Sequence, residues 1–404
     1  MTIRSILWAV ILILACANSP AQTDDAVVSL VGANDDFAFR LYADLARGGR
    51  TNLVVSPFSI SMALAMASAG AKGSTLEEMR NTLAVNQSEA AFHQAFAELR
   101  QRIGRSLKNG NVTLDLRNSF WMQTGYDIEK AFANTLAKSY LSKLNQADFA
   151  GNPAAALDGI NAWIRRATQG RVENMLGPES VNSDTLFILV NTIFFKGRWH
   201  SRFKRIDTRE QPFFVTSEQR VMVPMMFQEN EFRCAERDGV TILELPYVGS
   251  GFSMLLFLPK NHNGLADLEK ILDKDRVNRW LRALSPSELK VYLPRFSFNC
   301  EIPLKETLSR LGMHRAFVKE DADFTRLCLR RPLYIQSIHQ RAGIEVDEEG
   351  TTAWAATSVD GVISEPPPPK VFRADHPFVF MITDNSTGSI LFLGRVLNPL
   401  AREK

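Results

Sequence analysis

The chain has 404 residues, 45% of them hydrophobic and 23% charged. That is enough apolar material for one large domain or two average ones, and too much for extensive disorder. Lys and Arg total 47 against 44 acidic residues, a formal charge of +3, which excludes nucleic-acid binding through bulk charge alone.

The amino terminus reads as an export signal covering residues 1–21. Arg4 precedes an unbroken apolar run from Ile6 to Ala15 flanked by small residues, the layout of a secretory signal peptide. The run is shorter than the roughly 20 residues that a bilayer demands. Two cleavage points fit: before Asn18, after Ala15-Cys16-Ala17, and before Gln22, after Ser19-Pro20-Ala21. Ile13-Leu14-Ala15-Cys16 also looks like a bacterial lipobox with an atypical Leu14, in which case cleavage precedes Cys16 and that residue carries a lipid. No later stretch is apolar for long enough to span a membrane. The expectation is a secreted protein, extracellular or periplasmic, with residues 22–404 forming one domain.

Past the signal the chain is helix-rich. Asp35 to Ala46 and Ser88 to Leu107 carry apolar residues at helical spacing, as in Phe92, Phe96, Leu99 and Ile103, and Leu157 to Thr168 is a third such stretch. From Thr185 the character changes to apolar and β-branched runs bounded by Gly, Pro and Asn. These predict strands at Leu186–Phe195, Val240–Leu245, Phe252–Leu258, Leu289–Leu293, Phe378–Ile382 and Ile390–Val396. Helices first and strands later imply an α+β fold on large, mainly antiparallel sheets.

One segment stands apart. Gly350 to Glu365 is mostly small or β-branched, and four prolines follow at Pro366 to Pro369. Long irregular segments in compact domains are usually functional. This one alternates like a strand: Thr351, Ala353, Ala355, Thr357, Val359, Gly361 and Ile363 make a small-to-apolar face, and the residues between them a more polar one. Prolines cannot donate to a ladder, so such a strand stops by Glu365.

Nothing in the chain supplies a catalytic centre. There is no GxSxG elbow, no HExxH and no phosphate loop, and Gly70-Ala71-Lys72-Gly73-Ser74-Thr75 lacks the GK[ST] order. The histidines His93, His200, His262, His314, His339 and His376 are scattered, without metal-ligand spacing. No cofactor motif is present, and the reading is a protein that is not an enzyme. Cys234, Cys300 and Cys328 are isolated and odd in number, which predicts buried thiols rather than a disulfide framework. Asn86, Asn111 and Asn385 lie in glycosylation sequons that matter only in a eukaryotic source.

Several stretches together are similar to one family. "NLVVSPFSISMALAMASAGAKGSTLEEMRNTL" at Asn52–Leu83 resembles the early helical signature of the serpins. "VNTIFFKGRW" at Val190–Trp199, "ELPYVGSGFSMLLFLPK" at Glu244–Lys260, "LPRFSF" at Leu293–Phe298, "LGMHRAF" at Leu311–Phe317 and "ADFTRL" at Ala322–Leu327 continue the match in order. "FRADHPFVFMITDNSTGSILFLGRVLNP" at Phe372–Pro399 resembles the family's closing strands. The resemblance implies three sheets, about nine helices and an exposed reactive-centre loop at residues 348–370. It also implies a monomeric suicide substrate for serine proteases. The protease cuts the loop and forms an acyl-enzyme, the cut loop inserts as a strand into the main sheet, and deacylation stalls. The nucleophile is then the protease's own. About fourteen inserted residues, at roughly 0.5–1.5 kcal/mol per ladder bond, favour the inserted state by on the order of 10 kcal/mol.

Carried over residue by residue, the hinge is Glu348, Gly350, Thr351, Ala353, Ala355, Ala356 and Thr357. Ser56, Ser59, Asn191 and His339 match the polar cluster that governs sheet opening, and Trp199 matches the aromatic residue where the hinge first enters. Counting from Glu348 places the reactive bond at Ser364-Glu365, with Ile363-Ser364 as runner-up. Neither offers Arg or Lys, so the expected partner is elastase-like or chymotrypsin-like. Trp354 departs from the family's small residues, on the outward face of the inserted strand, and the proline run lengthens the distal loop. Arg100, Arg102, Arg105 and Lys108 lie where some serpins bind polyanions, but helical spacing and the intervening Glu98 favour a solvated face. The alternative function is a non-inhibitory serpin acting as carrier, chaperone or storage protein, in which inward hinge positions tend to be charged or bulky.

Overall fold

The computed structural model describes residues 20–109, 111–168, 170, 175–330, 332–350 and 369–401. The first third is largely helical: α1 (Pro20–Ala46), β1 (Leu53–Val55), α2 (Pro57–Ser68), α3 (Gly73–Thr82), α4 (Glu89–Ser106), β2 (Val112–Gln123), α5 (Lys130–Thr135), β3 (Leu144–Ala147) and α6 (Pro153–Ala167). Strands then dominate: β4 (Phe187–Gly197), β5 (Arg209–Phe214), β6 (Arg220–Arg237), β7 (Val240–Pro246), β8 (Phe252–Pro259), α7 (Leu265–Ile271), α8 (Lys274–Arg282), β9 (Ser285–Pro294) and β10 (Phe296–Pro303). The chain closes with α9 (Lys305–Arg310), β11 (Ser337–Val346), β12 (Lys370–Arg373), β13 (Phe378–Asp384) and β14 (Ile390–Val396). The expected α+β fold stands, with nine α-helices among the described residues. The signal-peptide reading, Cys16 included, falls outside them apart from Pro20 and Ala21, which open α1.

The helices are set by caps and faces. Pro57 takes the first position of α2, and the Ser56 hydroxyl accepts a 3.3 Å bond from the Ser59 amide. All of α2 is buried, as expected for a helix whose apolar residues lie all round. Asn152 caps α6, which buries Ala156, Ile160 and Ile164 and packs Leu157 and Trp163, half-buried, beside them.

Two sheets carry the strands. The five-stranded sheet runs β10-β11-β4-β2-β3, and the nine-stranded sheet runs β1-β14-β13-β8-β7-β6-β9-β12 with β5 also on β6. The third sheet that the family resemblance implies is continuous with the second through β6. Arg220–Met225 of β6 pair with β5, Met225–Cys234 with β9, and Arg233–Arg237 with β7.

The five-stranded sheet is covered on both faces. Leu189 and Ile193 of β4 join the main core, which holds α2. Ile188 and Val190 point the other way and pack with Ile160 and Ile164 of α6 in a second cluster. This alternation decides which face each site residue occupies.

Candidate functional site

The site is a seam with a hinge at one end. β4 and β11 lie side by side and run parallel, from Ser337 opposite Ile188 to Gly343 opposite Phe194. Every other strand pairing in the five-stranded sheet is antiparallel except β2 with β3. Both seam strands therefore end at the same edge, where Asp347–Gly350 leads out of β11 and Trp199 follows β4.

Beneath the seam, side chains from four elements, α2, β2, β4 and β11, interlock. Gln340 of β11 sits opposite Asn191 of β4, and its Nε2 donates to Asn191 Oδ1 at 2.7 Å and to the Ser56 carbonyl at 3.0 Å. Its Oε1 accepts from the Ser56 amide at 2.9 Å. Asn191 Nδ2 donates in turn to the Ser59 carbonyl at 3.2 Å, to the Ser59 hydroxyl and to Asn118 Oδ1. Ser56, Ser59, Asn191 and Gln340 are fully buried, so each of these bonds satisfies a group that has no access to water.

The structure thus brings Ser56, Ser59 and Asn191 together but puts Gln340 where the sequence pointed to His339. His339 pairs with Val190, whose side chain packs on the α6 face, so His339 lies on the opposite side of the sheet. A shift of one residue along a strand exchanges faces. Burial there holds the His339 imidazole below its usual value, against the opposing charge of Glu179. Its Nε2 has no hydrogen-bond partner among the described residues.

The hinge is held at several points. Glu348 is 1% exposed; its carboxylate accepts from Arg295 at 2.5 Å and from the Thr208 hydroxyl at 2.7 Å. Burial pushes this carboxyl up, but the bonds from Arg295 and Thr208 outweigh it and hold the group below its ordinary value. The Glu348 carbonyl accepts from the Phe203 amide at 3.0 Å. Trp199 is buried, stacks on Tyr247 with ring centroids 4.7 Å apart, and donates from Nε1 to the Asp347 carbonyl at 3.0 Å. Its amide donates to the Glu349 carbonyl at 3.3 Å. Gly350 turns the chain with φ +66°, and a Cβ there would strike the Trp199 backbone; only glycine fits both constraints.

Thr351, Ala353, Ala355, Ala356, Thr357, Ile363, Ser364 and Glu365 lie outside the described residues. Sequence reasoning did not single out Gln340, Asn118, Thr208, Arg295 or Tyr247. None of them carried a signal in the sequence alone, since choosing Gln340 over His339 needs its pairing with Asn191.

The other candidates take structural places. Arg102 pairs with Asp24 and, at 3.0 Å, with Glu98, which also binds Arg105 at 3.2 Å. The basic face of α4 is thereby partly neutralised within the chain. Cys234, Cys300 and Cys328 are buried, as expected of thiols acting as small hydrophobes. No helix among the described residues is long and apolar enough to cross a membrane.

The family model described as "Serpin (serine protease inhibitor)" matches residues 32–399. An uncharacterized serpin-like protein of Thermococcus kodakarensis is 37% identical over 92% of this chain and 86% of its own length. Human neuroserpin is 32% identical over 90% of each chain. The crystal structure of uncleaved ovalbumin superposes with a TM-score of 0.84 at 29% identity, covering 92% of this chain and all of that one.

Proposed function

The chain belongs to the serpin family, and from that membership we propose that it is an inhibitor which traps serine proteases by inserting its cleaved reactive loop between β4 and β11. The observation that carries this is the parallel seam, from whose β11 side the chain leads out to Gly350. A strand that turns back there runs antiparallel to both neighbours, so one parallel ladder is exchanged for two antiparallel ones. Parallel pairing is the weaker kind per residue. With seven paired positions along the seam, the exchange adds about seven ladder bonds at roughly 0.5–1.5 kcal/mol each.

The small residues Thr351, Ala353, Ala355 and Thr357 suit the buried face of that strand, above α2 and the Ser56–Asn191–Gln340 cluster. Opening the seam must break the Gln340–Asn191 bond, which makes the cluster a latch. The hinge begins at Glu348 and Gly350, and Trp199 closes the point where it enters. Cleavage at Ser364-Glu365, or at Ile363-Ser364, calls for an elastase-like or chymotrypsin-like protease. The chain is not itself an enzyme in this reading, since the attacking serine is the protease's. The apolar leader at the amino terminus supports secretion, with lipid attachment at Cys16 as the variant form.

Incubation with a panel of serine proteases, read on a denaturing gel, tests the proposal. An elastase- or chymotrypsin-like member gives an adduct near the summed mass, because the arrested intermediate is an ester. Protein cut in the loop but not complexed unfolds at a markedly higher temperature than intact protein. Clean cleavage by every protease, with an unchanged melting temperature, refutes trapping and leaves a carrier, chaperone or storage serpin.

A further inference from the structure

Residues far apart in the sequence meet where the chain leaves β12. His262 lies in the connection after β8, and Asp375 and His376 follow β12 directly. The ring of His376 is 4% exposed, with Nε2 2.7 Å from the Pro259 carbonyl and Nδ1 2.8 Å from Asp375 Oδ1. A carbonyl oxygen only accepts, so Nε2 carries hydrogen. Nδ1 and the Asp375 oxygen thus face one another at a distance a shared cation could bridge.

We propose that His262, Asp375 and His376 bind a divalent transition metal, with zinc the best match. A third donor completes the set. His262 Nε2 stands 3.9 Å from the same Asp375 oxygen, and the three donor atoms all lie within 4.8 Å of one another. Zinc bonds of about 2.0–2.1 Å in a tetrahedron set neighbouring donors roughly 3.3 Å apart, between the 2.8 Å and 3.9 Å separations found here. His262 stacks on Phe214 at 4.7 Å and its ring centroid is 4.7 Å from that of His376, so a small turn of this half-exposed ring closes the set. The Pro259 carbonyl is the outer partner that a ligating imidazole uses to fix its tautomer and direction. Two imidazoles and one carboxylate favour zinc over calcium or magnesium, and the exposed side near His262 leaves a fourth position for water.

The site has a mechanical meaning. The Asp375 carbonyl already accepts from the Phe214 amide at 2.7 Å, so metal binding ties the end of β5, the end of β8 and the exit of β12 into one knot. That knot sits immediately beyond the distal anchor of the reactive loop.

Full-length protein stripped with a chelator is titrated with zinc ion by calorimetry and with cobalt ion by visible absorption. One equivalent binds, the cobalt spectrum is that of a four-coordinate nitrogen and oxygen site, and zinc raises the thermal midpoint. His262→Ala, an exposed substitution that leaves the core intact, and Asp375→Asn each weaken binding at least tenfold. His314→Ala, at another exposed histidine, leaves binding unchanged. The proposal is overturned if stripped wild-type protein takes up no stoichiometric metal, or if His262→Ala binds zinc as well as wild type. Should Asp375→Asn fail to fold, the His262→Ala comparison alone decides.

Discussion

Glu348→Gln tests whether the charge at the hinge holds the uninserted state together. The substitution keeps the shape of a side chain that is 1% exposed and removes only its charge. The Thr208 hydroxyl can still donate to the remaining amide oxygen, so the change falls mainly on the 2.5 Å contact with Arg295. A hydrogen bond to a charged group contributes about 1.5–3 kcal/mol, but the Arg295 side chain is 46% exposed and regains water when its partner is neutralised. Screening of that kind brings the expected loss down to about 1–2 kcal/mol. Because the folded carboxyl is held below its ordinary value of 4.5, its contribution is complete above that pH and fades as pH falls through the folded value. The midpoint of the first urea transition, measured for both proteins at about pH 7 and again at about pH 3, should differ at the first and differ less at the second. Equal midpoints at neutral pH, or a gap that persists undiminished in acid, would refute the role given to this ion pair.

Asn191→Ala removes the centre of the latch and leaves Gln340, Ser59 and Asn118 short of partners, at about 1–3 kcal/mol for a buried polar group left unmade. The variant should melt lower and take up a synthetic peptide of the 351–364 sequence faster, and no change in either would mean the cluster is not a latch. Thr351→Arg places an unpaired guanidinium on the first inward hinge position, where burial costs several kcal/mol. Each 1.4 kcal/mol added to the insertion barrier shifts the partition about tenfold toward hydrolysis. The moles of inhibitor consumed per mole of protease inactivated should therefore rise steeply, and a wild-type ratio would show that insertion through Thr351 is not what arrests the enzyme.

The sequence was most readable where one face of an element is apolar over its whole length. The α4 and α6 helices and the fully buried β8, β13 and β14 all match their predicted spans within a few residues. The 18-residue β6 was missed, because Pro224 reads as a break and its middle, Gln228 to Glu231, is almost wholly polar. It passes from one set of partners to another, so no single alternation describes it. In β2, Leu114 and Leu116 alternate with Thr113, Asp115 and Arg117, a legible pattern that the sequence reading did not single out. The start of α1 was lost because Gln22 to Asp25 and Gly32 dilute its periodicity. His339 illustrates a different limit. Residue type marked it as the special position, whereas the partner strand, which only the fold supplies, gives the buried place to Gln340.

β12 is short and sits at the edge of its sheet. Only Lys370–Arg373 pair with β9, Val371 is 57% exposed, and Arg373 adds a stacked contact with Tyr292 at 3.6 Å and a 2.6 Å bond to Gln211. In an uncut chain this is where residues 351–368 are moored, while their other end leaves β11 in the other sheet. Because n residues can span no more than about 3.3–3.6 Å each, an intact chain cannot fill the seam to its full depth unless this mooring peels away. In the proposed mechanism a protease removes that condition by cutting between the two anchors. On that reading the lifetime of the uncut molecule is set at the far end of the loop, by four edge residues whose unzipping would let the seam close on its own chain.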